Sequence, residues 1–491
     1  MNLENLILGL TDFKILGNKN IDIKNISSNS KNIEKDFMYI SLPGTKTDGD
    51  FYINDAIEKG AKAILTSEEF LKDNNLVENV TYILVKNRRK AFSIIASNFY
   101  DNPSKETFNI GVTGTNGKTT TTHLIYDLLS DNNCNPGLIG TLYNKYLNVV
   151  NEAKFTTPMP DEIHKIFREM LNNNVNSIVM EVSSHALDQY RVSSINYDIA
   201  VFTNITQDHL DYHKTFENYK KAKSILFSDL LKENGFAIIN IDDPNSDYFI
   251  KSSKSKNIIT YGINNDADVK AKNINLKMDG TTFIVETKNK NIELDVNLLG
   301  KFNVYNSLAT IAVGIAKGFS LEKCKNSLEK SKGVKGRIEI VTPKGYPFTV
   351  VIDYAHTPDS LENILKTVKE FSKGKVISVF GCGGDRDRAK RPIMGEISSK
   401  LADITIVTSD NPRTESPSFI ISEILEGMKN KDNILVEEDR KLAIKKSIEI
   451  ANKGDIVVIA GKGHENYQIF KDKTIHFDDK EVALEFLSLN R

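Results

Sequence analysis

FNIGVTGTNGKTTTTHLIYDLL, residues 108–129, is the stretch on which the reading of the fold turns. A β-prone lead (Phe108, Ile110, Val112) runs into a glycine-containing turn, and an apolar-periodic stretch follows it. Strand, loop and helix start form the setting in which backbone N–H groups and a helix N-terminus hold phosphate. There Lys118 would reach the terminal phosphates of a nucleoside triphosphate, and the Thr119 hydroxyl would sit on Mg²⁺. The spacing departs from GxxxxGK[ST]: Val112 stands where the first glycine belongs, Gly111 comes one residue early, and Gly114 lies inside the loop. A Gly/Thr turn with an exposed lysine would read the same way, and the loop alone does not say what is done with the nucleotide.

Working outward, residues 1–104 read as a small α/β unit. FMYISLPG (37–44) is a short strand into a turn, 53–68 a helix ending near Gly60 and then a strand, VTYILV (80–85) a strand, and Arg88 to Tyr100 a helix. The turn Asp101-Asn102-Pro103 marks the first boundary. Residues 105–336 alternate helical patterns at 161–173, 216–232 and 304–317 with apolar runs at 177–184, 198–205 and 235–242. Those runs suit parallel strands buried on both faces, and 256–296 reads as antiparallel strands added to them. Residues 337–491 begin another α/β series, with SKGVKGR (331–337) as the hinge. The expected fold is therefore α/β in three domains: a small N-terminal domain, a central doubly wound phosphate-loop domain with a mostly parallel sheet, and a Rossmann-like C-terminal domain.

Composition agrees. A chain of 491 residues fits about three domains at the usual ~150 residues each. Its 64 basic and 65 acidic residues leave a net charge of −1, which gives no global pull toward nucleic acid or an anionic membrane. Cys134, Cys324 and Cys382 are odd in number and far apart, against a disulfide framework and consistent with a reducing cytosol. MNLENLILGLTDF makes a poor signal peptide, and no apolar run reaches the ~18 residues of a membrane span.

Polar clusters close several strand candidates, where open α/β sheets bind ligands. Glu181-Val182-Ser183-Ser184-His185 offers a carboxylate as Mg²⁺ ligand or base, and Thr206 to His213 a dense group of possible ligands that would equally suit a capped, solvated loop. Lys220, Lys221 and Lys223 on an amphipathic helix read from their spacing as surface charge. Downstream, Asp353-Tyr354-Ala355-His356, Gly381 to Arg386, Asp410-Asn411-Pro412-Arg413 and Gly461 to Glu465 all follow strands. Arg386 and Arg413 could clamp a carboxylate bidentately.

With these residues in place the whole chain resembles the Mur ligases of bacterial cell-wall synthesis, in the same domain order. TGTNGKTT, residues 113–120 with Gly114, Thr115, Asn116, Gly117, Lys118, Thr119 and Thr120 as its ATP-binding positions, is similar to that family's form of the phosphate loop. The resemblance implies an ATP and catalytic set of Lys118, Thr119, Glu181, His209, Asn303, Asn306, Arg337 and Asp353. It also implies that Lys223 is carried as a CO₂-derived carbamate, an anionic ligand that joins Thr119, Glu181 and His209 around two Mg²⁺. Ser28, Ser30, Thr45, Lys46, Thr47, Thr156, Thr157, Ser183, Gln189 and Arg191 match the site for UDP-N-acetylmuramoyl-L-alanyl-D-glutamate; relatives show Asp-Ser-Arg where this chain has Asn29-Ser30-Lys31. Arg386, Asp410, Asn411, Pro412, Arg413, Gly461 and Glu465 match the site for the incoming amino acid. Members using meso-diaminopimelate carry the DNPR run found here, and those using L-lysine usually replace its arginine.

The activity so implied is ATP-dependent amide formation. The D-glutamyl carboxylate is phosphorylated to an acyl phosphate, ADP leaves, and the amine of meso-diaminopimelate displaces phosphate. The third domain is expected to close on the second, and the protein to act as a cytoplasmic monomer without membrane insertion or nucleic acid. Alternatives at this stage are meso-lanthionine or L-lysine as amino acid, a related Mur or folylpolyglutamate-type ligase, and a regulatory NTPase that keeps the fold without ligation.

Overall fold

The computed structural model describes residues 1–44, 47–73, 75–277, 279–343, 345–429 and 432–489. Thr45 and Lys46 of the expected substrate loop lie outside the described residues. The chain is α/β and packs as two compact units, Met1–Thr260 and Tyr261–Arg491.

The first unit holds two sheets. The N-terminal one orders Phe13–Leu16, Thr81–Val85, Ala63–Thr66, Phe37–Ile40 and Asn25–Ser27, parallel except for the first strand. In the larger sheet β1 (Phe108–Thr113) leads into α1 (Lys118–Asp131), then come β2 (Pro136–Ile139), α2 (Pro160–Asn172), β3 (Ser177–Glu181) and β4 (Tyr197–Phe202). α3 (Phe216–Ile225) and β5 (Leu231–Asn240) follow. The strands lie in the order β2, β3, β1, β4, β5, all parallel. Burial on both faces explains their apolar runs: β3 and the residues of β1 after Phe108 are buried throughout. Because the strands are parallel, the ends of β1, β2, β3 and β4 fall on one edge of the sheet.

Three elements depart from the sequence expectation. The helix expected over 216–232 stops as an α-helix at Ile225, widens into a π-helical turn at Leu226–Leu230 and enters β5 directly at Leu231, four residues before the expected strand. NIITYGI, expected to be antiparallel, is the strand Asn257–Gly262 and pairs parallel with Val269–Lys277 through Tyr261–Val269 and Gly262–Lys270. Val269–Lys277, within the 256–296 stretch, does run antiparallel to Gly280–Thr287, which pairs antiparallel with Asn291–Val296. A hairpin of Tyr143–Tyr146 and Val149–Glu152 also extends the larger sheet beyond β2.

The second unit ends in a Rossmann-like sheet. β6 (Thr349–Asp353), β7 (Val376–Phe380), β8 (Ile404–Val407), β9 (Ile434–Val436) and β10 (Ile456–Ala460) are parallel in the order β6, β10, β7, β8, β9. Its strand order changes direction around β10, and ligands in such sheets bind beyond the strand ends near that point. A fully buried Arg440–Asp479 pair, 2.7 Å apart, ties two helices under this sheet, and Arg440 also donates to the Ala460 carbonyl at the end of β10.

Candidate active site

At the edge formed by β1, β3 and β4 the phosphate loop is held from both sides. Gly114 has φ +155°, and a Cβ there would stand 1.9 Å from Thr203 Oγ1, so the loop lies flush against the end of β4. The Thr115 N–H donates to the Asn204 carbonyl (2.8 Å), and Thr203 Oγ1 donates to the Asn116 carbonyl (2.7 Å). Gly117, in the left-handed region at φ +84°, turns the chain into the N-terminus of α1. Lys118 Nζ folds over the loop, donating to the Gly114 and Thr115 carbonyls at 2.9 Å each.

Thr119 Oγ1 donates to Glu181 Oε2 at 2.9 Å. Glu181 is fully buried at the end of β3. Thr141, just past β2, grips the same carboxylate twice, through its N–H on Oε1 (2.8 Å) and its hydroxyl on Oε2 (2.9 Å). A Cβ on Gly140 would fall 2.5 Å from Glu181 Oε1, so glycine is what lets the carboxylate lie against this turn. Sequence reading missed Thr141; its place at a parallel strand's carboxyl end was the available signal.

Lys223 is 1% exposed, which corrects the surface assignment its spacing suggested. Its Nζ donates to the Gly114 carbonyl at 2.7 Å, sharing that acceptor with Lys118, and sits 4.6 Å from the Tyr219 ring centroid. Burial, reinforced by the Lys118 ammonium, pushes the Lys223 amine well below its ordinary range. Lys220, half-buried, pairs with Glu217, and Lys221 is exposed as expected. His209 is exposed and left-handed at φ +52°; its ring lies 3.4 Å from Asp208 Oδ2 and packs edge-on to His185 and Tyr219. Tyr219 thus stands between His209 and Lys223.

A second group gathers around Arg191. Its guanidinium donates to Gln189 Oε1 (2.8 Å) and the Thr157 carbonyl (2.9 Å) and lies over Phe155. Thr157 Oγ1 donates to the Glu181 carbonyl at 2.8 Å, and Ser183 caps the helix that follows. Thr156 accepts from Thr141. Burial and the neighbouring Arg89 guanidinium both disfavour the Arg191 charge. In the N-terminal part of the chain Ser30 is buried at the start of a 3₁₀ turn and Ser28 is half-buried just past the Asn25–Ser27 strand, while Thr47 is exposed. Arg88 grips Asp48 bidentately at 2.8 and 2.9 Å, beside that loop.

In the second unit Asn306 Nδ2 donates to Asn303 Oδ1 at 2.9 Å. Arg337 lies over the Tyr354 ring, and Asp353 accepts from the Ile338 N–H; burial pushes the Asp353 carboxyl up to about 6 against the pull of Arg337. Beyond the ends of β6, β7, β8 and β10 opens a cleft of about 650 Å³. Arg386, Asp410, Asn411, Arg413, Gly461 and Glu465 line it, so six of the seven residues expected at the amino-acid site meet there. Pro412 stands behind, its carbonyl 1.9 Å from where a Cβ of Gly384 would be. Arg413 is left-handed (φ +52°) and donates to the Gly384 carbonyl at 2.8 Å. The cleft brings two guanidinium groups, that of Arg413 held by the Gly384 carbonyl, and a carboxylate together, the chemistry that suits a ligand carrying both carboxylate and ammonium.

Sequence comparison matches three family descriptions in order: Mur ligase family, catalytic domain, over residues 22–100; Mur ligase middle domain over 112–314; and Mur ligase, glutamate ligase domain, over 336–463. The chain is 47% identical over 484 residues to the UDP-N-acetylmuramoyl-L-alanyl-D-glutamate--2,6-diaminopimelate ligase of Clostridium tetani, covering 98% of both chains. It is 46% identical over 488 residues to ligase 1 of that name from Clostridium acetobutylicum, covering 99% of both. A solved structure of a ligase of the same name superposes with a TM-score of 0.74 at 32% identity, covering 100% of this chain and 99% of that one. Matched by these models along its length and by relatives of this identity, the chain belongs to the Mur ligase family.

Proposed function

We propose that the protein is an ATP-dependent ligase that joins meso-diaminopimelate to the D-glutamyl carboxylate of UDP-N-acetylmuramoyl-L-alanyl-D-glutamate, releasing ADP and phosphate. It would work as a monomer in cytoplasmic cell-wall precursor synthesis, and among the described residues no helix is long and apolar enough to cross a membrane. In this reading residues 1–104, 105–336 and 337–491 receive in turn the uridine diphosphate end, ATP and the amino acid. The observation that carries it is the convergence of Lys118, Thr119, Glu181 and Lys223 on one strand edge.

A carboxylate is a poor electrophile, and phosphorylation gives it a leaving group. Both steps build negative charge, so the residues act chiefly by electrostatics and position. The N-terminus of α1 and Lys118 hold the transferring phosphate. Arg191, fixed by Gln189 and Thr157, orients the dipeptide carboxylate. Asn303, Asn306, Arg337 and Asp353 hold the rest of the nucleotide. Thr119 and Glu181, oxygen donors already 2.9 Å apart, suit Mg²⁺, with His209 and a Lys223 carbamate completing the set; the ion would screen the phosphoryl oxygens. Carbamate formation needs an uncharged amine, and the depressed Lys223 amine meets that need.

Arg413 and Arg386 take the distal carboxylate, and Glu465 the distal ammonium. L-lysine lacks that carboxylate and would leave a guanidinium unmatched, a strong form of discrimination. The test is product analysis with each UDP-muramoyl acceptor and each amino acid. ADP, phosphate and a tripeptide product are expected only with the dipeptide acceptor and meso-diaminopimelate. AMP and pyrophosphate would refute the acyl-phosphate route, ATP turnover without peptide product would refute ligation, and preference for meso-lanthionine or L-lysine in competition would refute the amino-acid assignment.

A further inference from the structure

Lys462 follows β10 by two residues and its side chain is completely buried at the back of the amino-acid cleft. A buried ammonium is costly unless its protons are met by acceptors. Here Nζ donates to Asn411 Oδ1 at 2.9 Å and to Glu465 Oε2 at 3.3 Å, and lies over the Tyr467 ring.

Those bonds settle the orientation of two cleft groups. Asn411 Oδ1 also receives the Ile469 N–H at 3.0 Å. An atom facing an ammonium and an amide N–H must be the carboxamide oxygen, because a flipped amide would set donor against donor. The Asn411 Nδ2 therefore points the other way, and it donates to Glu465 Oε2 at 2.9 Å. Two donors thus hold Oε2, and among the described residues no protein donor is assigned to Oε1. The backbone keeps the loop in place around this arrangement: Gln468 Nε2 donates to the Asp410 carbonyl and the Arg413 N–H to the Ile469 carbonyl.

We propose that Lys462 is a positioning residue for amino-acid selection, fixing Asn411 and presenting Glu465 to the cleft with one oxygen held and the other left for a ligand ammonium. The inference deepens the ligase reading and rests on it. Lys462 also offsets the Glu465 charge, so a diamino acid is chosen by the placement of Glu465 Oε1 more than by net attraction. A cationic ligand that cannot reach Oε1 gains little from the pair.

The experiment is steady-state kinetics of the full chain with Lys462→Met, Lys462→Gln, Glu465→Gln and the two double variants, with the melting transition of each recorded. For Lys462→Met the KM for meso-diaminopimelate should rise about tenfold or more, with the KM for ATP and for the UDP-linked dipeptide within about twofold. In the Glu465→Gln background the same change should cost about threefold or less, because the group being positioned is already altered. Lys462→Gln, which keeps one donor for Asn411, should fall between and serves if the methionine variant does not fold. Additive effects in the cycle, a common rise of all three KM values, or loss of the melting transition in both variants would overturn the proposal. A wild-type chain that turns over another amino acid would refute the diaminopimelate assignment alone, and the cycle is then read with that amino acid.

Discussion

His164 gives the most direct test of how this fold handles acid. It lies on the core face of α2, between Ile163, Phe167 and Met170, fully buried, and among the described residues neither ring nitrogen has a hydrogen-bond partner. Burial pushes the imidazole from 6.5 down to about 3. The unfolded chain therefore takes up a proton as pH falls through 6.5 while the folded chain resists to about 3, and stability drops across that interval. At about pH 5 the penalty from this one group is about 2 kcal/mol relative to about pH 8. Replacing His164 by Leu removes it and also removes two unmet polar atoms. For a unit of this size the wild type should lose about 4–8 °C more than the variant between those two pH values. The assay is thermal melting at both pH values, compared as a difference of differences so that other titrating groups cancel. Equal losses in the two proteins would show that His164 finds a partner or water in the folded state, and the reasoning would fail.

Three further outcomes follow from the sites. Lys223→Ala should abolish ADP release, with partial return on adding a short-chain carboxylate; full activity in the unrescued variant would remove Lys223 from the mechanism. Arg191→Ala should raise the KM for the UDP-linked dipeptide by about tenfold to a hundredfold while the KM for ATP stays near its starting value, a split that substrate-by-substrate kinetics reads directly. Gly461→Ala places a methyl 2.8 Å from Asp410 Oδ2 at a backbone φ of +116°, so melting should show a loss of about 1–3 kcal/mol and diaminopimelate should bind more weakly.

How far the sequence reached depends on what each element is buried against. β1, β3, β4, β6, β7 and β10 are covered on both faces, and their apolar runs announce them. VKAKNINLK at 269–277 alternates lysine and asparagine with apolar residues and is legible only as part of the alternating stretch 256–296, because its register shifts between Lys272 and Asn275. Strand-end position located Glu181 and the four clusters of the C-terminal sheet, because parallel strands bring their ends to one edge. Helical spacing misplaced Lys223, since periodicity scores a lysine as polar whatever it faces; its ammonium meets the Gly114 carbonyl, 109 residues away, and the Tyr219 ring one turn earlier on its own helix. Lys462 escaped for the same reason, its partners being Asn411, fifty-one residues away, and a glutamate on its own loop.

The π-helical turn at Leu226–Leu230 has a consequence for insertions and deletions. Such a turn holds one residue more than an α-helical turn, and it stands between Lys223 and the start of β5. A further residue inserted there, or the same residues rewound as a regular α-helix, would rotate everything before it by about 100° relative to the strand. Lys223 would then swing away from the Gly114 carbonyl although every side chain of the site remained in the chain. The spare residue therefore sets the angular register of the helix that carries Lys223, and at this point the length of the segment matters more than its composition.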